Sequence, residues 1–105
     1  QIVQHIGNAV NILPNLDLKI DLAFIDADKK NYPLYFDFLI EKMNPGGLII
    51  ADNVLWSGKV IEKIDTSDKA TKALLEYNNK IHEEPRVENI LLPLRDGLML
   101  CRKKE

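Results

Sequence analysis

Ile20-Asp21-Leu22-Ala23-Phe24-Ile25-Asp26-Ala27-Asp28-Lys29 is the stretch that decides the fold. Ile20 to Ile25 is a compact apolar run of strand length, as expected for a strand covered on both faces. It ends abruptly in charge. The same pattern returns at Leu48-Ile49-Ile50-Ala51, which ends in Asp52-Asn53. Between the two, Asn31 precedes Pro33, a capping residue followed by one suited to a first helical turn. The helix is expected to run to about Met43, with Tyr35, Phe38, Leu39 and Lys42 at helical spacing. Asn44-Pro45-Gly46-Gly47 should stop it. Strand, helix, strand is the unit of a parallel sheet.

Outward from this unit the elements continue to alternate. Ile2 to Ile6 reads as a short strand broken by Gly7. Asn8 can cap a short helix towards Leu16, with Ala9, Ile12, Leu13 and Leu16 on one face. Val54 to Asp65 reads as a loop. Ser67 is positioned to cap a second long helix with Ala70, Ala73, Leu74, Tyr77 and Ile81 as its apolar stripe and Pro85 beyond its end. Val87 to Leu92 and Leu98 to Cys101 read as two closing strands joined through Arg95-Asp96-Gly97, a turn signal. The expected class is α/β, mostly parallel, with an antiparallel C-terminal hairpin.

The totals agree with an ordinary globular domain: 105 residues, 46% hydrophobic, 29% charged, net charge −2. Basic residues are scattered among as many acids, which argues against a broad nucleic-acid footprint. A single cysteine, Cys101, allows no internal disulfide and fits a reducing, cytoplasmic setting. No apolar run is long enough to span a membrane. The start has neither an initiator Met nor the layout of a secretion signal, so the chain is expected to begin inside a larger protein.

Ligands of open α/β sheets bind beyond the carboxyl ends of the strands. Two neighbouring strands would deliver Asp26, Asp52 and Asn53 there. Two carboxylates and an amide oxygen are hard ligands suited to Mg²⁺, Mn²⁺ or Ca²⁺. Zn²⁺ is disfavoured without His or Cys beside them. Taken singly, Asp and Asn after a strand are ordinary turn and cap residues. The two ends together favour a site.

At these residues the sequence resembles the caffeoyl-CoA and catechol O-methyltransferase family. The resemblance rests on Phe24-Ile25-Asp26-Ala27-Asp28-Lys29-Lys30-Asn31-Tyr32, on Pro45-Gly46-Gly47, on Asp52-Asn53-Val54-Leu55-Trp56-Ser57-Gly58, and on Leu92-Pro93-Leu94-Arg95-Asp96-Gly97-Leu98. It covers essentially the whole chain and implies the C-terminal portion of a single Rossmann-like methyltransferase domain, residues 1–105. It implies methyl transfer from S-adenosylmethionine to a metal-bound hydroxyl of a small catechol-like or caffeoyl-like acceptor. Asp26, Asp52 and Asn53 would bind the cation, typically Mg²⁺ or Ca²⁺, and Lys29 would be the general base. Ala9, Asp26 and Asp28 would contact the methyl donor. Asp26, Trp56 and Ser57 would face the substrate; plant members usually carry Asn where Ser57 stands. Trp56 could equally anchor its loop against the sheet. Tyr32 and Tyr35 read as helix packing, His5 and His82 as surface or satisfied core positions, and Arg102-Lys103-Lys104 as a solvated tail.

The family's acidic glycine-rich cofactor turn and its ribose-binding acid are not in this sequence; both normally lie upstream of Gln1. In the family's sheet order, two strands that this chain lacks sit between those matching Ile2–Ile6 and Ile20–Ile25. The resulting edges invite pairing with another chain, and a homodimer is the expected assembly. Alternatives are a tRNA nucleoside O-methyltransferase, a non-catalytic remnant acting as an interaction module, and a signalling receiver domain. The last requires an acidic cluster and later Ser/Thr and Lys positions that cannot be placed.

Overall fold

The computed structural model describes residues 1–62 and 67–105. Its elements are a short helix α1 (Ala9–Ile12) continued by a 3-10 turn (Leu13–Asn15), strand β1 (Ile20–Ile25), helix α2 (Tyr32–Lys42), strand β2 (Met43–Asp52), a 3-10 segment (Trp56–Ile61), helix α3 (Lys69–Glu83), and strands β3 (Val87–Leu92) and β4 (Leu98–Lys103). The sheet order is β1-β2-β4-β3. β1 and β2 are parallel, and β4 runs antiparallel to both β2 and β3.

Register explains which residues form the core. Ala23, Ile49 and Cys101 stand side by side across β1, β2 and β4, as do Ile25, Ala51 and Met99. This face carries α2 and α3, and Phe36, Ile40, Leu74, Tyr77 and Ile81 fill the space between. On the alternate face the row Phe24, Ile50, Leu100 and Ile90 crosses all four strands. Among the described residues no helix covers that face, and Phe24 is 61% and Ile90 56% exposed. Among the described residues β1 is packed on one face, not on both as expected from its sequence, and it stands at the edge of the sheet.

Several boundaries differ from those expected from the sequence, each for a local reason. Ile2 to Ile6 form no strand; Ile2 and Ile6 are 94% and 90% exposed, and among the described residues no strand lies beside them to accept their backbone hydrogen bonds. Asn8 does cap α1, its side chain accepting from the Val10 amide. Asn31 does not cap α2 with its side chain; the amide is turned to Asp28 instead. The buried face of α2 is centred on Tyr32, Tyr35, Phe36, Leu39 and Ile40, with Phe38 only half-buried. Asn44 to Gly47 end the helix but do not interrupt β2. They appear as a register shift, with Ile20 beside Met43 and Leu22 beside Leu48. The stretch Val54–Asp65 contains the 3-10 segment Trp56–Ile61, and its residues 63–65 lie outside the described residues. Asp68, not Ser67, caps α3, accepting from both the amide and the hydroxyl of Thr71. Lys103 is not a solvated tail residue: its ammonium donates to the carbonyls of Ile40 and Met43 at 2.9 and 3.0 Å, satisfying the C-terminus of α2.

Cys101 is 1% exposed on the packed face. Burial pushes its thiol up to about 12 from the ordinary 9.0, with the negative charge of Glu84 adding to the effect. Because the folded value is the higher one, this group's stabilising contribution is complete below the ordinary value. It fades as pH rises from about 9 to about 12. Cys101→Ala should therefore flatten the alkaline fall in stability. In the unsubstituted protein a thiol-disulfide reagent at neutral pH should react only upon unfolding. Rapid labelling of the folded protein would contradict the packing described.

Candidate active site

The parallel pair is the structural origin of the site. Ile25 lies beside Ala51, so the next residues of each chain, Asp26 and Asp52, leave the sheet at the same end. Asn53 follows in a left-handed conformation, φ 63°, that turns the chain out of β2. Asn is among the few non-glycine residues that adopt this region readily. Its backbone amide donates to Asp52 Oδ1 at 2.7 Å. The Asp26 side chain is 56% exposed. Among the described residues no cluster of three or more His, Cys, Asp or Glu side chains is arranged to hold a metal. The set Asp26, Asp52 and Asn53 is instead two carboxylates and an amide, all oxygen donors.

Lys29 sits on this group. Its ammonium donates to Tyr32 Oη at 2.8 Å, to the Ala27 carbonyl at 2.9 Å and to Asp26 Oδ1 at 3.3 Å. It also lies 4.8 Å from the Tyr32 ring centre and 5.8 Å from that of Trp56. Burial lowers the Lys29 pKa, but Tyr32 and Asp26 more than offset this and hold it above the ordinary lysine value. Tyr32 and, less strongly, Asp26 thus favour the charged ammonium of Lys29.

Tyr32 joins the parts. Its hydroxyl bonds to the Asp52 carbonyl at 2.8 Å and, at longer range, to the Ile25 carbonyl at 3.3 Å. It thus links both strand ends to Lys29. Tyr32 is fully buried and its ring meets Tyr77 edge-on. The expectation of packing alone therefore misses half of what this residue does. A 3-10 turn, Lys29–Asn31, leads into α2, so Tyr32 follows Lys29 by about one helical turn, and that spacing is the available sequence signal.

Ala9 and Asp28 come together with Gly7, Asn8, Ala27, Lys30, Asn31 and Tyr35 around a cleft of about 520 Å³. Both Asp28 oxygens are engaged, one by the Tyr35 hydroxyl and the other by the Asn31 amide. Asp26 and Ala9 also border a neighbouring, more apolar cleft of about 480 Å³ along β1. Trp56 is half-buried and packs at the margin of the core, while Ser57 is exposed; both are left-handed, with φ 51° and 54°. His5 and His82 are exposed and take no part.

The loop after β2 is fastened to the β3–β4 turn. Val54 and Leu55 amides donate to the carbonyls of Gly97 and Asp96, at 3.3 and 2.9 Å. Gly97 is at φ +86°, and a Cβ there would stand 2.6 Å from Leu55 Cγ. Gly97→Ala should push the Asn53–Ser57 loop outwards and cost roughly 1–3 kcal/mol, a sum of overpacking and backbone strain. Chemical denaturation of the full-length protein would measure it, and a change below about 0.5 kcal/mol would refute the close contact.

A mixed sheet with carboxylates at the ends of a parallel pair, and a reversed closing hairpin, is the architecture of Rossmann-like methyltransferases. The O-methyltransferase of Bacillus cereus, solved in complex with SAH, superposes with a TM-score of 0.79 at 30% identity, over 91% of this chain and 46% of that one. The O-methyltransferase family model matches residues 2–104, and the chain belongs to that family. Tricin synthase 2 of Oryza sativa subsp. japonica is 38% identical over 108 residues, 92% of this chain and 37% of the relative. Caffeoyl-CoA O-methyltransferase 2 of Populus trichocarpa is 41% identical over 88 residues, 79% and 36% respectively. The chain thus spans well under half the length of these relatives. Among the described residues no helix is long and apolar enough to cross a membrane.

Proposed function

We propose that the full-length protein transfers the methyl group of S-adenosylmethionine to a hydroxyl of a small, catechol-like or caffeoyl-like acceptor. Residues 1–105 are then the C-terminal portion of one methyltransferase domain, acting in the cytoplasm as part of a homodimer. The observation that carries this reading is the delivery of Asp26, Asp52 and Asn53 to one end of the parallel pair, with Lys29 bonded to Asp26. Family membership and the SAH complex of the Bacillus cereus relative support the methyl donor.

The donor set fits a hard divalent cation, Mg²⁺ or else Ca²⁺ or Mn²⁺, held by Asp26, Asp52 and Asn53. Such an ion would lower the pKa of an acceptor hydroxyl and fix its oxygen. Lys29 accepts the hydroxyl proton in this reading. To do so it must first be neutral, whereas Tyr32 and, less strongly, Asp26 favour its charged form; the positive charge of an ion on Asp26 would oppose them. Ala9 and Asp28 border the donor's cleft, and Asp26 borders the neighbouring cleft along β1 while pairing with Lys29. Trp56 and Ser57 flank the acceptor from the loop after β2. Holding donor and acceptor in one geometry supplies much of the acceleration.

Methyl transfer by the full-length protein to catechol, caffeoyl-CoA and tRNA, assayed in parallel, tests the acceptor class. Turnover of the small phenols and none of tRNA is expected. Methylation of tRNA alone would replace the reading with a nucleoside methyltransferase. Failure to bind S-adenosylmethionine at all would point to a non-catalytic module.

A further inference from the structure

Asp96, at the tip of the β3–β4 turn, has three acceptor atoms, and the loop after β2 uses all of them. Its carbonyl accepts from the Leu55 amide at 2.9 Å, Oδ1 accepts from the Ser57 amide, and Oδ2 accepts from Asn53 Nδ2 at 3.2 Å. The last contact has a chemical consequence. An ionised carboxylate can only accept, so it can hold Asn53 in one of its two amide orientations and not the other. With Nδ2 turned to Asp96, Asn53 Oδ1 points away from the turn.

We propose that Asp96 is a positioning residue: it selects the amide orientation in which Asn53 presents oxygen rather than NH₂ to the cation. This rests on the assignment of Asn53 as a cation ligand. An amide nitrogen carries no usable lone pair for a hard cation, so a flipped Asn53 would contribute nothing and would aim two N–H groups at the ion. Asn53 alone does not determine its orientation, because its two ends are nearly the same size. The partner 43 residues away does so. Outer-shell groups of this kind govern how well a directly bound ligand serves its metal.

The test is Mn²⁺ binding to the full-length protein, read by electron paramagnetic resonance without acceptor or methyl donor. Asp96→Asn should weaken Mn²⁺ binding about 10- to 100-fold. The loss should persist at high salt, where the effect of a merely nearby charge is screened. The swap Asn53→Asp with Asp96→Asn keeps the net charge and lets the new amide at position 96 donate to the new carboxylate at position 53. It should recover most of the affinity. Asn53→Ala and Asp26→Ala serve as references. Mn²⁺ binding unchanged in Asp96→Asn but weakened in both references would overturn the positioning role and leave the cation site standing. A loss that vanishes at high salt, or one the swap does not recover, would reduce Asp96 to a charge or a loop brace and overturn it equally. Binding unchanged in all variants would remove the cation site itself.

Discussion

Asp26→Ala in the full-length protein is expected to lower kcat/KM for methyl transfer by about a thousandfold, roughly 4 kcal/mol of transition-state stabilisation. Asp26 stands at the end of β1 and has two tasks. It is one of only two carboxylates in the oxygen-donor set, and it is the charged partner of Lys29 at 3.3 Å. Removing it leaves Asp52 and Asn53 as the remaining donors and leaves Lys29 bonded to Tyr32 and the Ala27 carbonyl. The fold should survive, because the Asp26 side chain is 56% exposed and leaves no cavity. A circular dichroism melt close to that of the unsubstituted protein, alongside the lost activity, is the expected pair of results. Lys29→Ala separates the two tasks. It should reduce kcat while leaving Mn²⁺ binding intact, whereas Asp26→Ala should impair both. Retained turnover in Lys29→Ala would remove the proposed base and leave the cation role in place.

Phe36→Ala is expected to destabilise the protein by about 4 kcal/mol, the middle of the range for truncating a buried aromatic. Phe36 is fully buried between α2 and α3, and its ring meets Tyr77 edge-on with centroids 6.3 Å apart. That loss is a large share of the roughly 5–15 kcal/mol by which domains are stable. Tyr77→Phe at the other side of the same contact should behave differently. The Tyr77 hydroxyl is buried and makes no hydrogen bond among the described residues, and burial drives its pKa far above the ordinary tyrosine value. Deleting an unsatisfied buried hydroxyl removes a penalty, so Tyr77→Phe should be neutral or stabilising. Urea denaturation of both variants in the full-length protein checks the contrast. A loss of more than about 1 kcal/mol in Tyr77→Phe would mean that the hydroxyl has a partner.

The centre of the fold is legible in the sequence because its signals are local. Ile20–Ile25 reads as a strand from its own apolar run, and β1 has those bounds. The ends of α2 and α3 follow from Pro33, the Asn44–Gly47 breaker and Pro85 to within a residue or two. Ile2–Ile6 has the composition of a strand but no neighbour to pair with, and strand formation is a property of the pair. Lys103 misleads for the opposite reason: a basic residue near the chain's end looks solvated, yet β4 carries it to the carbonyls that end α2.

The candidate site divides in the same way. Asp26, Asp52 and Asn53 stand out because each ends an apolar run, and parallel pairing brings the runs together. Tyr32 and Asp96 do not stand out, since their importance lies in what they reach. Tyr32 bonds to a carbonyl 20 residues on, and Asp96 to a side chain 43 residues back. An Asp-Gly pair advertises a turn, and nothing local says that the turn's carboxylate will grip the loop after β2.

In the proposed function Asp26, Asp52 and Asn53 hold the cation on which hydroxyl methylation depends. Methyl transfer from S-adenosylmethionine to catechol by the full-length protein, measured before chelation, in EDTA, and after Mg²⁺ is restored, tests it most directly. Activity should disappear in EDTA and return with Mg²⁺. Activity undiminished by EDTA would contradict the claim.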